Sequence, residues 1–203
     1  MPVEDRRAAL ISATEPLLER YGRDVSTRQI AEAAGVAEGT IFRAFATKDE
    51  LIDAVVDEVF DEARTRDAIA AIDRSLPLPE RLVLATTVLQ DRVRRVFALF
   101  HALRLRPGWA GSAGEDRPAH ESLHARQRHD HEQMELVLLD LIGPDAERLR
   151  VSPLEAVVVL RSNVFALTHP LLGDERLARP ERIVDLVLHG IGPAAPLPED
   201  VTC

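Results

Sequence analysis

One cysteine, two methionines, one tryptophan, one tyrosine and one lysine are all that these 203 residues hold of those types, and aromatic residues make up only 4%. A lone thiol at Cys203 excludes an intrachain disulfide framework, which leaves the chain compatible with a reducing compartment. Long apolar runs are missing too. No stretch reaches the ~18 apolar residues of a membrane span, and Met1-Pro2-Val3-Glu4-Asp5 lacks the basic-then-apolar order of a secretory leader. The reading is a soluble, cytoplasmic protein with no membrane partner. β-branched alternation of the kind strands need is almost absent, so the expected fold class is all-α. There is also no nucleophile elbow, glycine-rich phosphate loop or metal motif, so no catalytic residue, cofactor or metal is expected.

Positive charge is scarce as well. The chain has 25 Lys and Arg against 34 Asp and Glu, a net charge of −9. Residues 1–52 hold seven cations (Arg6, Arg7, Arg20, Arg23, Arg28, Arg43, Lys48) and nine carboxylates, so no basic footprint appears even there. If this chain grips a polyanion, it does so through the placement of a few cations and not through their number.

What the sequence does have is 46% hydrophobic residues in helical register, enough for a core. Leu10, Thr14, Leu17, Leu18 and Tyr21 predict a helix over about 4–21 that closes on Gly22. Ser26-Thr27-Arg28-Gln29 is a capping box that opens a helix to about Ala34, and Thr47-Lys48-Asp49-Glu50 is a second one ahead of a long amphipathic helix. Between them, Glu38 to about Ala44 reads as a short helix. Further helices are expected over about 82–104, 118–142, 153–172 and 180–191, with a loop at 107–117 and a Pro-rich tail.

Ser26 to Ala44 meets the steric demands of a helix-turn-helix. Ala31 is small where two helices must approach, Gly35 suits a turn residue with positive φ, and Ile30, Val36 and Ile41 are spaced to fill the seam. The wider string from Thr27 to Phe45, TRQIAEAAGVAEGTIFRAF, followed by Lys48-Asp49-Glu50-Leu51, resembles the TetR family of transcriptional regulators. The resemblance covers residues 6 to about 55.

That resemblance implies an N-terminal three-helix DNA-binding domain at 1–50, a helical effector-binding and dimerisation domain at 51–192, and a tail at 193–203. Thr27 and Arg28 would then stand at the start of the second helix, facing phosphate or a guanine edge. Gly39, Thr40, Phe42 and Arg43 would lie on a recognition helix in the major groove, and Lys48 would meet a phosphate. Phe42 replaces the tyrosine common in the family, Ala44 the histidine, and Ala37 the usual hydroxyl cap. Glu38 favours the helix dipole while repelling phosphates.

The implied function is a repressor, homodimeric, released from palindromic operator DNA by a small-molecule effector. Candidate pocket residues are Phe97, Phe100, His101, Trp109, His120, His124, Met134 and Phe165, although an aromatic or Met stripe at helical spacing is more often plain core. His120, His124 and His131 can share one helix face, but with no further ligand in reach the reading is a pocket rim and not a metal site. The resemblance also implies that the last two helices pair with their copies, through Leu154, Val157, Val158, Leu160, Val164, Ile183, Val184 and Val187, as an intermolecular four-helix bundle. Rival readings are a helical interaction module that no longer reads DNA, and an enzyme that uses the pocket.

Overall fold

The apolar stripe on the first helix, α1 (Val3–Tyr21), buries Leu10, Thr14 and Leu18 against the helices that follow. A computed structural model describes residues 3–104 and 117–190, with side chains over 4–104 and 129–190. Among the described residues every long element is an α-helix: α2 (Thr27–Ala33), α3 (Glu38–Ala44), α4 (Lys48–Phe60), α5 (Ala63–Ala70), α6 (Leu78–Leu103), α7 (Arg117–Ile142), α8 (Pro153–Thr168) and α9 (Pro180–His189). None of them is long and apolar enough to cross a membrane.

The chain packs as two units. The first takes Met1–Asp67 with Asp91–Met134, and the second Ala68–Gln90 with Glu135–Cys203, so α6 and α7 each contribute to both. In the first unit Leu18, Ile30, Ile41, Leu51, Ile52 and Val55 are fully buried and share one apolar core with Leu99 and Leu103 of α6. Complete burial of an aliphatic side chain contributes roughly 1.5–3 kcal/mol, so this cluster holds α1 to α4 together. Two arginines of α6 reinforce it: Arg95 donates two hydrogen bonds to the Glu15 carboxylate at 2.7 and 2.9 Å, and Arg92 donates to Glu62 at 2.8 Å and to the Val59 carbonyl at 3.3 Å, satisfying an orphan carbonyl in the last turn of α4. Gly22 has φ 59°, and a Cβ there would stand 2.7 Å from the Ala102 carbonyl oxygen, so both backbone conformation and space call for glycine.

In the second unit Leu82, Leu138, Val157, Leu160, Ile183 and Val184 are buried. Arg81 is completely buried there. Its guanidinium donates to the Leu141 carbonyl and pairs with Asp145, which closes α7 where it passes into the 3-10 turn Gly143–Arg148. The buried Gln90 amide donates to the Thr168 hydroxyl at 3.0 Å and to the Ala178 carbonyl at 2.7 Å, fastening the end of α8 to the segment that leads into α9.

Several boundaries differ from the expectation. α8, expected over about 153–172 with Pro170 kinking or ending it, ends at Thr168, because the residue before Pro170 is pushed out of the helical region: His169 has ψ 129°. Leu171 and Leu172 therefore stand exposed instead of extending the apolar stripe. α9 stops at His189, since Gly190 takes φ 72° two residues before the expected glycine. α6 begins at Leu78, four residues early, because Pro79 falls in its first turn, where no intrahelical N–H is required. The box at Ser26 forms in full, with Gln29 N–H to the Ser26 hydroxyl at 3.2 Å and Ser26 N–H to the Gln29 side chain at 2.8 Å. The one at Thr47 forms only by half: the hydroxyl accepts from Glu50 N–H at 3.0 Å, but the Glu50 carboxylate takes the Ala46 N–H at 2.6 Å instead of its expected partner. α5 lies outside the expected helices: its sequence ARTRDAIA is mostly polar, and it buries only Thr65 and Ile69, one turn apart.

The expected loop at 107–117 lies, apart from Arg117 at the start of α7, outside the described residues, as does the tail.

Candidate nucleic-acid interface

α2 and α3 are joined by a turn of four residues, Ala34 to Ala37, in which Gly35 takes φ 66°. The Val36 N–H closes the turn on the Ala31 carbonyl at 2.9 Å. Ile30, Ala31 and Ile41 go inward, which leaves the opposite surfaces of both helices facing solvent. On that outer side stand Arg28 of α2 and Gly39, Phe42 and Arg43 of α3, all exposed, while Thr27 and Thr40 are half-buried. Phe42 is 51% exposed, a large apolar ring that has no core role. Gly39 has no atom within 4 Å of the position a Cβ would take, so this surface is open at that point.

Most cations of this region are engaged. The Arg7 guanidinium stacks on Phe45, 4.0 Å from the ring centroid, and donates to the Ala44 carbonyl, which anchors the end of α3. Arg23 reaches Asp49 at 3.5 Å. The Lys48 ammonium donates to the Arg23 carbonyl at 2.8 Å and to the Val25 carbonyl at 3.1 Å, clamping the start of α4 to the chain leading into α2. An ammonium carries three N–H donors, so one remains for a phosphate. Arg28 and Arg43 are different: among the described residues neither has a carboxylate within salt-bridge distance. The Thr27 hydroxyl bonds the Glu38 carboxylate across the turn.

α3 has no side-chain cap at Ala37, as the missing hydroxyl implied.

The pocket candidates are scattered. Phe97 and Phe100 lie in the first unit beside Phe60, with ring centroids of Phe60 and Phe100 5.6 Å apart edge to face. Met134 is buried and His101 exposed. Phe165, in the second unit, is 49% exposed and stacks edgewise on His169. Trp109 lies outside the described residues, and so do the side chains of His120 and His124.

Of the eight residues expected between subunits, Val157, Leu160, Val164, Ile183 and Val184 are buried within the subunit's own core, and Val187 is half-buried. Leu154 and Val158 are about half exposed. With Phe165 they form the outward stripe of α8, one helical face away from the inward one. Helical periodicity counts Thr86 with the apolar residues of α6, and it is buried; it missed Gln90, one turn further on and also buried, because a glutamine carries no apolar signal.

Residues 10–55 match the sequence profile of a family described as bacterial regulatory proteins, tetR family. Three solved structures share the fold over most of the chain. A TetR transcriptional regulator from Streptomyces coelicolor is 24% identical with TM-score 0.59, over 93% of this chain and 99% of that one. A TetR/AcrR family regulator from Thermobifida fusca is 21% identical with TM-score 0.57, over 93% and 100%. A fatty acid degradation regulator from Bacillus halodurans is 17% identical with TM-score 0.54, over 92% and 96%. At these identities the structural likeness bears on the fold alone.

Proposed function

We propose that this chain, whose residues 10–55 match the tetR-family profile, is a TetR-family DNA-binding transcriptional regulator that represses genes from a palindromic operator in the cytoplasm and is released by a small-molecule effector. The observation that carries this reading is the state of Arg28 and Arg43. In a region with more carboxylates than cations, these two are exposed and unpaired among the described residues, at the start of α2 and on α3. Unpaired guanidinium groups beside an open glycine suit bidentate contact with a guanine edge or a phosphate.

Gly39 lets the backbone of α3 come close to the groove, Thr40 and Phe42 offer a hydroxyl and an apolar surface to base edges, and Thr27 and Lys48 supply phosphate contacts. In this reading residues 1–50 are the DNA-binding part and residues 51–192 the effector and dimer part. Two copies joined through the outer face of α8 and through α9 would present two recognition helices a helical turn of DNA apart, or a multiple of it. Phe97 and Phe100 are the best supported effector contacts, since they already form one aromatic cluster. An effector can shift the dimer only as far as it prefers one shape over the other.

Fluorescence anisotropy with labelled DNA from upstream of the gene tests the reading. Arg28→Ala and Arg43→Ala should each weaken specific binding by about tenfold or more, near 1–3 kcal/mol for a lost bidentate base contact, with the melting temperature unchanged. Wild-type affinity in both variants would refute the assignment.

A further inference from the structure

The second unit contains a cleft of about 410 Å³ between the start of α6, the end of α7, the start of α8 and the end of α9. None of the aromatic or histidine candidates lines it. Its walls are aliphatic, among them Leu78, Leu82, Ile142, Val159 and Val187, and its one charged lining residue is Arg150. At ~30 Å³ for each water-sized group, the space holds roughly a dozen methylene-sized groups. That is within the range of small-molecule sites, which are mostly apolar with few placed polar groups.

Arg150 is exposed at the rim, where one terminal N–H bonds the Leu188 carbonyl at 3.2 Å. This bond fixes the guanidinium at the cleft while engaging one of its five donors. Among the described residues no carboxylate lies within salt-bridge distance of it, although neighbouring arginines of the same unit, Arg148 and Arg81, both pair with Asp145. An aliphatic cleft with a single fork-shaped cation fits a ligand with one planar anion and an apolar body. A dianionic phosphate would need more positive charge than the lining offers, and a cationic ligand would be repelled.

We propose that this cleft is a binding site for an organic monocarboxylate with an apolar body of about ten carbons, its carboxylate held by Arg150 and its chain laid against Leu78, Leu82, Val159 and Val187. The site stands apart from the aromatic cluster at Phe97 and Phe100 and does not depend on operator binding. Its failure and a failure to bind DNA are therefore distinct results.

Isothermal titration calorimetry on the full chain, with decanoate, decan-1-ol and decyltrimethylammonium as probes, tests this. Decanoate should saturate one site per chain and bind more tightly than the alcohol, with the ammonium weakest. Arg150→Ala should weaken decanoate by about two- to fivefold, the scale of an exposed ion pair, and leave the alcohol unchanged. Arg150→Lys should fall between. Ala156→Phe, which fills the cleft, should block both decanoate and the alcohol. Equal affinity for decanoate and decan-1-ol, no effect of Arg150→Ala, or full decanoate binding by a folded Ala156→Phe chain would each overturn the proposal. If Ala156→Phe fails to fold, the Arg150 variants on the exposed rim decide it.

Discussion

The Thr27 hydroxyl donates a hydrogen bond to the Glu38 carboxylate, tying the first residue of α2 to the first residue of α3 across the turn. The bond helps set the angle between the two helices. It also keeps a negative charge on the surface assigned to DNA and occupies a hydroxyl suited to a phosphate.

Glu38→Gln keeps a hydrogen-bonding side chain and removes the charge. DNA affinity should rise by about fivefold at low salt, and the gain should shrink as ionic strength increases, since screening weakens the repulsion that was removed. Anisotropy titrations at two salt concentrations read both effects. Unchanged affinity at low salt would put Glu38 outside the field of the phosphates and turn this surface away from the duplex.

Lys48 separates two roles that a cation at an interface can play. Its ammonium bonds the Arg23 and Val25 carbonyls, so Lys48→Ala leaves one exposed and one partly buried acceptor without their donor. Loss of hydrogen bonds to a charged group costs about 1.5–3 kcal/mol each at most, less where water can substitute. Thermal denaturation of Lys48→Ala should show a melting temperature several degrees below wild type, whereas Arg43→Ala should not move it. A Lys48→Ala chain as stable as wild type, with weakened DNA binding, would make Lys48 a phosphate contact alone.

The N-terminal helices were legible because each of their signals is local. The Ser26 box, the Gly35 turn and the inward Ile30 and Ile41 are decided within a few residues, and the chain supplies each one. The engaged state of Lys48 was not legible, because its partners lie 23 and 25 residues away in sequence. The face of α8 was ambiguous for a different reason. That helix is apolar nearly all round, so periodicity says that it has two partners without saying which residues meet which. Only the packing against α9 separates buried Val157 from exposed Val158. The cleft beside Arg150 was hidden for the same reason as Lys48: its walls come from four helices far apart in the chain.

The cap of α8 gives a pH test. Glu155 accepts hydrogen bonds from the Ser152 hydroxyl at 2.7 Å and the Ser152 N–H at 2.9 Å. These hold its carboxyl below the usual glutamate value of 4.5, the hydroxyl being the larger cause and the backbone bond the next. A folded-state pKa below the unfolded one stabilises the fold fully above the unfolded pKa, and the contribution is lost as pH falls through the folded value. Ser152→Ala should therefore raise the Glu155 pKa in a carbon-detected NMR titration. It should lower the melting temperature at pH 7 and lower it less at pH 3. An equal loss at both pH values would mean that the carboxylate takes no part in the cap.

The outer stripe of α8 tests the assembly. Val158 is 51% exposed and Val157 fully buried, although they are neighbours in sequence, so the two positions report on different surfaces. A glutamate at 157 would place a charge in the subunit core, at a cost of several kcal/mol, and the chain should fail to fold. A glutamate at 158 keeps its carboxylate within reach of water in a single subunit, since about half of that position is exposed. In a two-fold dimer packed on this face it meets the partner's apolar helix instead, and where the stripe crosses its own copy it also meets a like charge. Val158→Glu should thus give a helical, cooperatively melting chain of half the wild-type mass by light scattering, with operator affinity reduced by a hundredfold or more because one recognition helix must now bind alone. A Val158→Glu protein that keeps the dimer mass would move the subunit contact to another face.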